Sequence, residues 1–113
     1  MITTPQVDIL LATYNGKLYI KELLSSLLNQ TYRHFRILIS DGGSKDGTIQ
    51  VIREIAAQEP RIEFLPSLGR LSSNANFSHL LAHTQAPYIM FADQDDVWLP
   101  HKIEKTLAKM QQL

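Results

Sequence analysis

Three aspartates near the end of the chain are the residues best suited to chemistry. Asp93, Asp95 and Asp96 directly follow residues 86–92, an apolar run with the character of a buried strand. Hard divalent cations take oxygen ligands, and Mg2+ is usually held by one or two carboxylates together with substrate phosphates. The cluster therefore predicts a metal-assisted site for a nucleotide diphosphate. Taken alone, it fits a solvated loop or an acidic first helical turn at least as well.

Two further polar segments follow predicted strands. Residues 13–16 offer a hydroxyl, an aromatic ring, an amide and a flexible glycine, which suit stacking on a base and hydrogen bonding to its edge. An ordinary Asn-Gly turn fits the same residues. Asp41 precedes two glycines, and residues 45–48 stand at a predicted helix start, where free N–H groups suit phosphate. Capping of that helix by Ser44 or Asp46 is the alternative.

Several known phosphate and metal motifs fail at individual positions. Thr48 stands where a P-loop needs lysine, and Ile52 stands where an EF-hand that begins at Asp41 needs a bidentate glutamate. No Gly-x-Gly-x-x-Gly follows the first predicted strand, so the usual dinucleotide fingerprint is missing. His79 and His83 are spaced for one helix face, but the glutamate of the zinc-protease pattern is absent, so a zinc site is disfavoured.

Trp98 and Arg70 each allow two interpretations. Trp98 follows the acidic segment, where an aromatic side chain either contacts a ligand or closes the core. Arg70 lies in a loose segment near the predicted site, where it either meets phosphate or stays solvated. The sequence does not separate these alternatives.

Composition restricts the class of protein. The 113 residues suit one domain with a buried core, and the 11 basic and 11 acidic side chains balance, so no nucleic-acid partner is expected. The lack of cysteine excludes disulfides and thiolate chemistry and suits the cytoplasm. No apolar run is long enough for a transmembrane segment, and residues 1–5 lack signal character. We expect a soluble cytoplasmic protein, with peripheral attachment to the inner membrane face left open.

Strand-like and helix-like segments alternate along the chain. The strands are predicted at residues 7–12, 35–40, 61–65 and 88–92, and the helices at residues 17–28, 49–56, around 77–83 and from about residue 100. This alternation predicts an α/β fold in which right-handed helical crossovers join four parallel strands. Such sheets bind ligands outside the carboxyl ends of their strands, so the polar loops should meet at one edge.

Four motifs, in this order and spacing, resemble the inverting family 2 glycosyltransferases with the GT-A fold. They are Ala-Thr-Tyr-Asn-Gly at 12–16, Gln-Thr-Tyr at 30–32, Asp-Gly-Gly-Ser-Lys-Asp-Gly-Thr at 41–48 and Asp-Gln-Asp-Asp-Val-Trp at 93–98. The resemblance covers nearly the whole chain, and residues 91–98 with Asn76 are similar to the bacterial rhamnosyltransferase-like branch. It implies a three-layer α/β/α domain with a mainly parallel, truncated four-stranded sheet.

The resemblance also implies which residues bind the nucleotide-sugar. These are Ala12, Thr13, Tyr14, Asn15, Asp41, Gly42, Asn76 and Asp93. Tyr14 takes the place of the aromatic residue that stacks on the base. Gly42 replaces an aspartate that usually contacts the base in this family, so either Asp41 compensates or a different nucleotide is preferred.

The Asp-x-Asp signature of the family falls on Asp93 and Asp95. Both are implied metal ligands for Mg2+ or Mn2+, with Asp95 the direct ligand and Asp93 oriented toward the sugar or ribose, while Asp96 is secondary. The base that activates the acceptor is expected beyond residue 113, so no catalytic residue is assigned. Residues 1–113 are interpreted as the nucleotide-sugar-binding half of the domain.

The expected function is inverting, metal-dependent transfer of a sugar from a nucleotide-diphosphate sugar to a glycan or lipid-linked acceptor in bacterial cell-surface polysaccharide synthesis. The first alternative is a non-catalytic nucleotide-sugar-binding module of the same fold. A response-regulator-like domain is disfavoured, because Ala12 and Thr13 stand where it needs an acidic pair. A sheet cut between strands also leaves an edge through which a homodimer is expected to form.

Overall fold

Strands and helices alternate throughout the described part of the chain. The computed structural model describes residues 5–112, so residues 1–4, where no leader was expected, lie outside the described residues. The eight elements are β1 (Val7–Thr13), α1 (Lys17–Leu28), β2 (Phe35–Asp41), α2 (Thr48–Ala56), β3 (Ile62–Phe64), α3 (Ser73–His83), β4 (Tyr88–Ala92) and α4 (Lys102–Gln111). No helix in this range has the length and apolar character needed to cross a bilayer.

The four strands form one parallel sheet in the order β3-β2-β1-β4. Central β1 ends level with its neighbours, since Thr13 is in register with Asp41 on β2 and Leu11 with Ala92 on β4. Parallel neighbours need crossover connections, which the helices provide, so all carboxyl ends lie at one edge. The loops after β1, β2 and β4 therefore lie side by side, as expected from the sequence.

Helices cover both faces of the sheet. Side chains of α1, α2 and α4 share one apolar cluster with Ile9 and Leu11, whereas Leu80 of α3 packs with Leu10 and Leu38 on the other face. Because both faces are covered, Ile9, Leu10 and Leu11 are all fully buried in succession, as is usual in parallel sheets. The expected three-layer α/β/α architecture is confirmed.

Two helices, α3 and α4, begin two or more residues from the positions expected from the sequence. α3 begins at Ser73, earlier than expected, because the Ser72 hydroxyl accepts a hydrogen bond from the Ala75 N–H at 3.1 Å and caps the helix. α4 begins at Lys102 rather than at Pro100. The Pro100 carbonyl instead accepts the Thr31 N–H at 2.9 Å, which holds this residue outside the helix.

A buried ion pair holds the edge of the sheet opposite the polar loops. The fully buried Asp8 on β1 accepts hydrogen bonds from Arg36 at 3.0 Å and from the Thr84 hydroxyl at 2.7 Å. Burial raises the pKa of Asp8, but the hydrogen bonds from Arg36 and Thr84 and the charge of Arg36 outweigh it, and the pKa lies below its usual value. The carboxylate thereby ties β1 to β2 and to the segment before β4.

Candidate functional site

An open cleft of about 820 Å³ lies at the carboxyl edge of the sheet. Its walls come from the ends of β1, β2 and β4 and from the first turns of α3. The predicted site residues on these walls are Ala12, Thr13, Tyr14, Gly42, Asn76, Asp93 and Asp95. The acidic segment and Tyr14 therefore face one space, which the motif order alone did not guarantee. Asn15 and Asp41 are the two predicted site residues outside the cleft lining.

Asp41 is a buried brace between the first two loops. Its Oδ2 accepts the N–H groups of Gly43 at 3.0 Å and Ser44 at 2.7 Å. Its Oδ1 accepts the hydroxyls of Thr13 at 2.7 Å and Ser44 at 2.6 Å. With both oxygens occupied and only 3% of the residue exposed, Asp41 fixes the shape of the cleft wall. Its direct contact with a nucleotide stays a prediction.

Asn15 and the start of α2 extend this brace. Asn15 adopts a left-handed conformation with φ 48°, and its side-chain carbonyl accepts the Lys45 N–H at 2.9 Å. The Asp46 carboxylate accepts the Thr48 hydroxyl and N–H and, at 3.1 Å, the Lys17 N–H. The Thr48 hydroxyl bond is the main cause of an Asp46 pKa below its usual value. The N-cap residue of α2 is Gly47, which offers no side-chain cap, so neither Ser44 nor Asp46 is the cap expected from the sequence. Asp46 instead joins this helix start to the first turn of α1.

Asn76 reaches the cleft from α3 and packs against Gly42. Its Nδ2 donates to the Thr13 carbonyl at 3.4 Å, while its Oδ1 is buried without a hydrogen-bond partner. A Cβ built on Gly42 would lie 3.3 Å from that Nδ2, closer than most side chains tolerate. An aspartate at position 42 would therefore crowd the Asn76 amide, whereas glycine leaves room for it. An unpaired buried acceptor is costly, so it marks a point where a ligand donor would be favoured.

Tyr14 is in contact with Arg70. The Arg70 guanidinium lies 4.3 Å from the centroid of the tyrosine ring, and its Nη1 donates to the Tyr14 hydroxyl. Tyr14 nevertheless remains 39% exposed on the cleft wall. Arg70 also lines the cleft, so it brings a positive charge into the space that holds Asp93 and Asp95. Arg70 is exposed to solvent and also stacked on Tyr14, so its contact with phosphate stays a prediction.

The acidic loop after β4 has unpaired carboxylates. Asp93 and Asp95 line the cleft, whereas Asp96 lines a neighbouring groove with Trp98 and Leu99. The loop is closed by a hydrogen bond of 3.0 Å from the Asp96 N–H to the Asp93 carbonyl. Across residues 5–112, no partner is found for these three carboxylates, and no group of three or more potential protein ligands is arranged around a metal position.

Gln94 is a contact that the sequence did not single out. Its side-chain amide accepts the Tyr14 N–H at 2.9 Å and donates to the Tyr14 carbonyl at 3.0 Å. The residue between the two predicted metal ligands thus joins the acidic loop to the aromatic loop. Its spacing carried no signal, because a polar residue between two aspartates has many uses.

Comparison with known proteins assigns the chain to a family. The sequence profile described as "Glycosyl transferase family 2" matches residues 8–113, nearly the whole chain. This chain belongs to glycosyltransferase family 2. The family part of the resemblance seen in the motifs is therefore confirmed, whereas the rhamnosyltransferase-like branch and the inverting mechanism stay predictions.

Relatives of this family 2 chain are longer proteins. It is 35% identical to "dTDP-rhamnosyl transferase RfbG" of Shigella flexneri over 102 residues, which cover 86% of this chain and 35% of that protein. It is 29% identical to "Putative glycosyltransferase EpsE" of Bacillus subtilis (strain 168) over 109 residues, which cover 96% of this chain and 39% of that protein. The chain therefore spans well under half the length of these relatives.

Solved structures share the fold of this family 2 chain. A Staphylococcus aureus TarS structure, residues 1–349 in complex with UDP, superposes with a TM-score of 0.82 at 22% identity, covering 95% of this chain and 32% of that one. The mannosyltransferase PcManGT from Pyrobaculum calidifontis, in complex with GDP-Man and Mn2+, gives 0.83 at 22% identity with the same coverage. The GT-A fold expected from the motifs is confirmed.

Gln30 and Thr31 of the Gln-Thr-Tyr motif in this family 2 chain hold the segment that joins the acidic loop to α4. Gln30 is buried, donates to the Leu99 carbonyl at 2.6 Å and accepts the Ile103 N–H at 3.0 Å. Trp98 is 5% exposed and belongs to the main apolar cluster, and its backbone N–H donates to the Ser26 hydroxyl at 3.0 Å. Of its two interpretations, Trp98 therefore follows the one in which it closes the core.

The two histidines on α3 pair with neighbours other than a metal. His79 Nδ1 lies 3.0 Å from the Ser40 hydroxyl, and His83 Nδ1 lies 2.9 Å from the His79 carbonyl. Their rings meet edge to face with centroids 4.9 Å apart. The polar contacts of both side chains are thus local, between α3 and β2 and along α3 itself.

Proposed function

We propose that this chain forms the nucleotide-sugar-binding part of an inverting, metal-dependent glycosyltransferase that builds bacterial cell-surface polysaccharide. One observation carries the proposal: Tyr14, Asp93 and Asp95 lie on the walls of the same cleft. An aromatic ring suits a base, and unpaired carboxylates suit a cation that accompanies a diphosphate. The relatives support a nucleotide-sugar donor, since one is named a dTDP-rhamnosyl transferase and TarS was solved with UDP and with UDP-GlcNAc.

The carboxylates of Asp93 and Asp95 fit Mg2+ or Mn2+. They are hard oxygen donors with no competing partner in the described chain, and two of them leave coordination positions for phosphate oxygens. Asp95 would be the direct ligand, with Asp93 beside it toward the sugar or ribose. When bound, the cation would offset the negative charge that develops on the departing diphosphate. The PcManGT structure, a complex with GDP-Man and Mn2+, supports this choice of ion.

Recognition of the base would rest on Tyr14 and Asn76. Tyr14 would stack on the ring, and the unpaired Asn76 Oδ1 would accept an N–H from the edge of the base after a small side-chain shift. Gly42 leaves that amide its position. This arrangement replaces the contact that the aspartate expected at position 42 would make. It suits any base with an imide or amide N–H, which includes uracil, thymine and guanine.

Inversion also needs a base that takes the proton from the acceptor hydroxyl on the sugar face opposite the diphosphate. We assign that base to a part of the protein outside these 113 residues, and the acceptor to a glycan or a lipid-linked glycan. The names of two relatives support this class of acceptor. One is a putative teichuronic acid biosynthesis glycosyltransferase, and the other acts on an α-D-GlcNAc-diphosphoundecaprenol. A lipid-linked acceptor would place the enzyme at the cytoplasmic face of the membrane.

The experiment is a calorimetric titration of the chain with UDP, dTDP and GDP, each with and without Mn2+. We expect one nucleotide to bind at least about tenfold more tightly with Mn2+, because Asp93 and Asp95 would hold the cation and its charge would offset that of the diphosphate. Asp95→Asn should remove most of this Mn2+-dependent gain, a loss of about tenfold in affinity, because the proposed direct ligand of the cation loses its charge. Asp96→Asn is the matched control, since that side chain faces the neighbouring groove. Metal-independent binding, or an equal loss in both variants, would contradict the proposal.

A non-catalytic nucleotide-sugar-binding module is the second candidate. Gly42 favours it, because a carboxylate expected at the base-binding loop is missing. Both candidates bind the donor, so binding does not separate them. Slow hydrolysis of a nucleotide-sugar by the chain with Mn2+, abolished in Asp95→Asn, would favour the enzyme.

We also propose that two copies associate through β4. In residues 5–112 this strand pairs only with β1, so its outer edge is unpaired. Phe91 on β4 is 54% exposed and packs against Phe77 with ring centroids 4.9 Å apart, which leaves an aromatic patch beside that edge. Unpaired edges favour strand addition. Sedimentation equilibrium should show a dimer that Phe91→Lys converts to a monomer, and a monomeric unsubstituted chain would contradict this.

A further inference from the structure

We propose that Gln94 is a positioning residue that locks the aromatic loop to the acidic loop, so that the base and the diphosphate are bound as one unit. This inference rests on the proposed function of the cleft. The side-chain amide of Gln94 accepts the Tyr14 N–H at 2.9 Å and donates to the Tyr14 carbonyl at 3.0 Å. It thus satisfies both backbone groups of the residue whose ring lines the cleft.

Tyr14 needs such a partner because of its place in the chain. β1 ends at Thr13, so Tyr14 lies just beyond the ladder of hydrogen bonds that fixes the strand. Among residues 5–112, Gln94 is the partner found for both its N–H and its carbonyl. Without this amide, the Tyr14 backbone groups would bond to water, and the ring would be held only through its contact with Arg70. The two hydrogen bonds therefore set where the aromatic surface stands.

Gly16 provides the space for this contact. A Cβ on Gly16 would lie 2.4 Å from Gln94 Oε1 and 2.7 Å from its Cδ, which no real contact allows. The backbone of Gly16, with φ −107° and ψ 24°, is open to other residues, so space and not conformation requires glycine here. Because Oε1 is the end of a flexible side chain, an added methyl group would push Gln94 away and leave the backbone in place.

The position of Gln94 makes it a link between two binding events. Its neighbours in sequence are Asp93 and Asp95, so a shift of the Gln94 backbone moves both proposed metal ligands. A nucleotide whose diphosphate is held by the acidic loop would thus find the base platform already in position. Coupling of this kind is reciprocal, so an ordered Tyr14 would also favour binding at the acids. Loss of the contact between Gln94 and Tyr14 should therefore lower the nucleotide affinity. It should also lower the ratio of the affinities measured with and without Mn2+.

The first test measures UDP affinity, with and without Mn2+, in the 113-residue chain and its variants. We expect Gln94→Ala to reduce the Mn2+-dependent affinity about 10-fold, the effect of losing two hydrogen bonds of modest net strength. Gln58→Ala, the same change at an exposed position after α2, should have no effect. Gly16→Ala should match Gln94→Ala in the native background. In the double variant, Gly16→Ala should cause no further loss of affinity beyond that of Gln94→Ala, because the side chain that its methyl group would displace is absent.

The second test reads the contact without any nucleotide. Hydrogen exchange of the Tyr14 amide should be slow in the unsubstituted chain and should become fast in both Gln94→Ala and Gly16→Ala. An already fast amide would overturn the contact. A protected amide with unchanged nucleotide affinity in Gln94→Ala, or additive losses in the double variant, would overturn the positioning role alone. If the unsubstituted chain bound no nucleotide at all, the proposed function would fail as well, so the two failures are distinguishable.

Discussion

The two walls of the cleft differ in how their polar groups are used. On the wall after β1 and β2, the side chains of Asp41 and Asn15 accept hydrogen bonds from neighbouring backbone N–H and hydroxyl groups. On the wall after β4, the carboxylates of Asp93 and Asp95 line the cleft without a partner in residues 5–112. The polar side chains of the first wall are therefore engaged in the fold, whereas the carboxylates of the second wall are available to a ligand. Both walls look alike in sequence, as short runs of aspartate, glycine and amide residues.

This difference has a thermodynamic meaning. A buried carboxylate that accepts four hydrogen bonds stabilises the fold, since each donor would otherwise be left unpaired. Two exposed carboxylates on one cleft contribute little to the fold, because water screens their charges. The stability of the fold should thus depend on the wall that contains Asp41, and ligand binding on the wall that contains Asp93 and Asp95.

The largest expected effect tests this separation. Asp41→Ala should lower the free energy of unfolding by about 3 kcal/mol, because the donors on Thr13, Gly43 and Ser44 lose their acceptor in a buried site. Asp93→Ala should change it by less than about 0.5 kcal/mol, as expected for an exposed side chain without partners. Urea unfolding at pH 7 measures both. Equal destabilisation by the two substitutions would remove the distinction between the walls.

A smaller effect is expected in the pH dependence of stability, and it involves the exposed Asp46. The pKa of Asp46 is lowered mainly by the Thr48 hydrogen bond, so its stabilising contribution is present above the unfolded value of 3.8 and is lost as pH falls through the folded pKa. Asp46→Asn should therefore be less stable than the unsubstituted chain at pH 7, with the gap closing below pH 3.8.

Asp96→Asn is the matched variant for that measurement, since Asp96 is an exposed aspartate without a side-chain partner among the described residues. Its unfolding curve should follow that of the unsubstituted chain at both pH values. A gap between Asp46→Asn and the unsubstituted chain that widens in acid would show that the Asp46 hydrogen bonds do not stabilise its charged form.

The fold and the location of the site at one edge of the sheet were predictable from the sequence. Both follow from the periodicity of strands and helices and from the parallel arrangement of the strands. Alternating apolar runs and helix-period segments predicted the parallel sheet, and α1 and β4 were predicted with the observed bounds. Since strand ends share an edge, Tyr14 and Asp95 were expected on one side of the molecule, where the structure places them. The motifs added the family, which no periodicity could give.

The use of individual side chains was not predictable in the same way. Asn15 and Asp41 turn away from the cleft because the loop conformation, with φ 48° at Asn15 and φ 96° at Gly43, brings backbone N–H groups to their oxygens. The contact between Gln94 and Tyr14 spans 80 positions in sequence and depends on the space left by Gly16. Such pairings arise from the meeting of loops, so spacing within any one loop carries no sign of them.

The smallest expected effect concerns Arg70, the cation that stands between the two walls. Its guanidinium covers part of the Tyr14 ring and faces the same cleft as Asp93 and Asp95. Removal of this group should expose the ring to a base and also remove attraction for a diphosphate. Arg70→Ala should therefore bind uridine about threefold more tightly and UDP about threefold more weakly, the scale of an exposed cation–π contact.

Because Arg70→Ala is expected to raise the affinity for uridine and lower the affinity for UDP, the experiment separates three roles for Arg70. If Arg70 belonged only to the shape of the first wall, its loss would weaken uridine and UDP by the same factor. If it acted only as a charge for the second wall, uridine affinity would not change and the UDP effect would vanish at high salt. A gain for the nucleoside together with a salt-sensitive loss for the diphosphate would show that one side chain acts on both walls, by covering the Tyr14 ring and by attracting the phosphates.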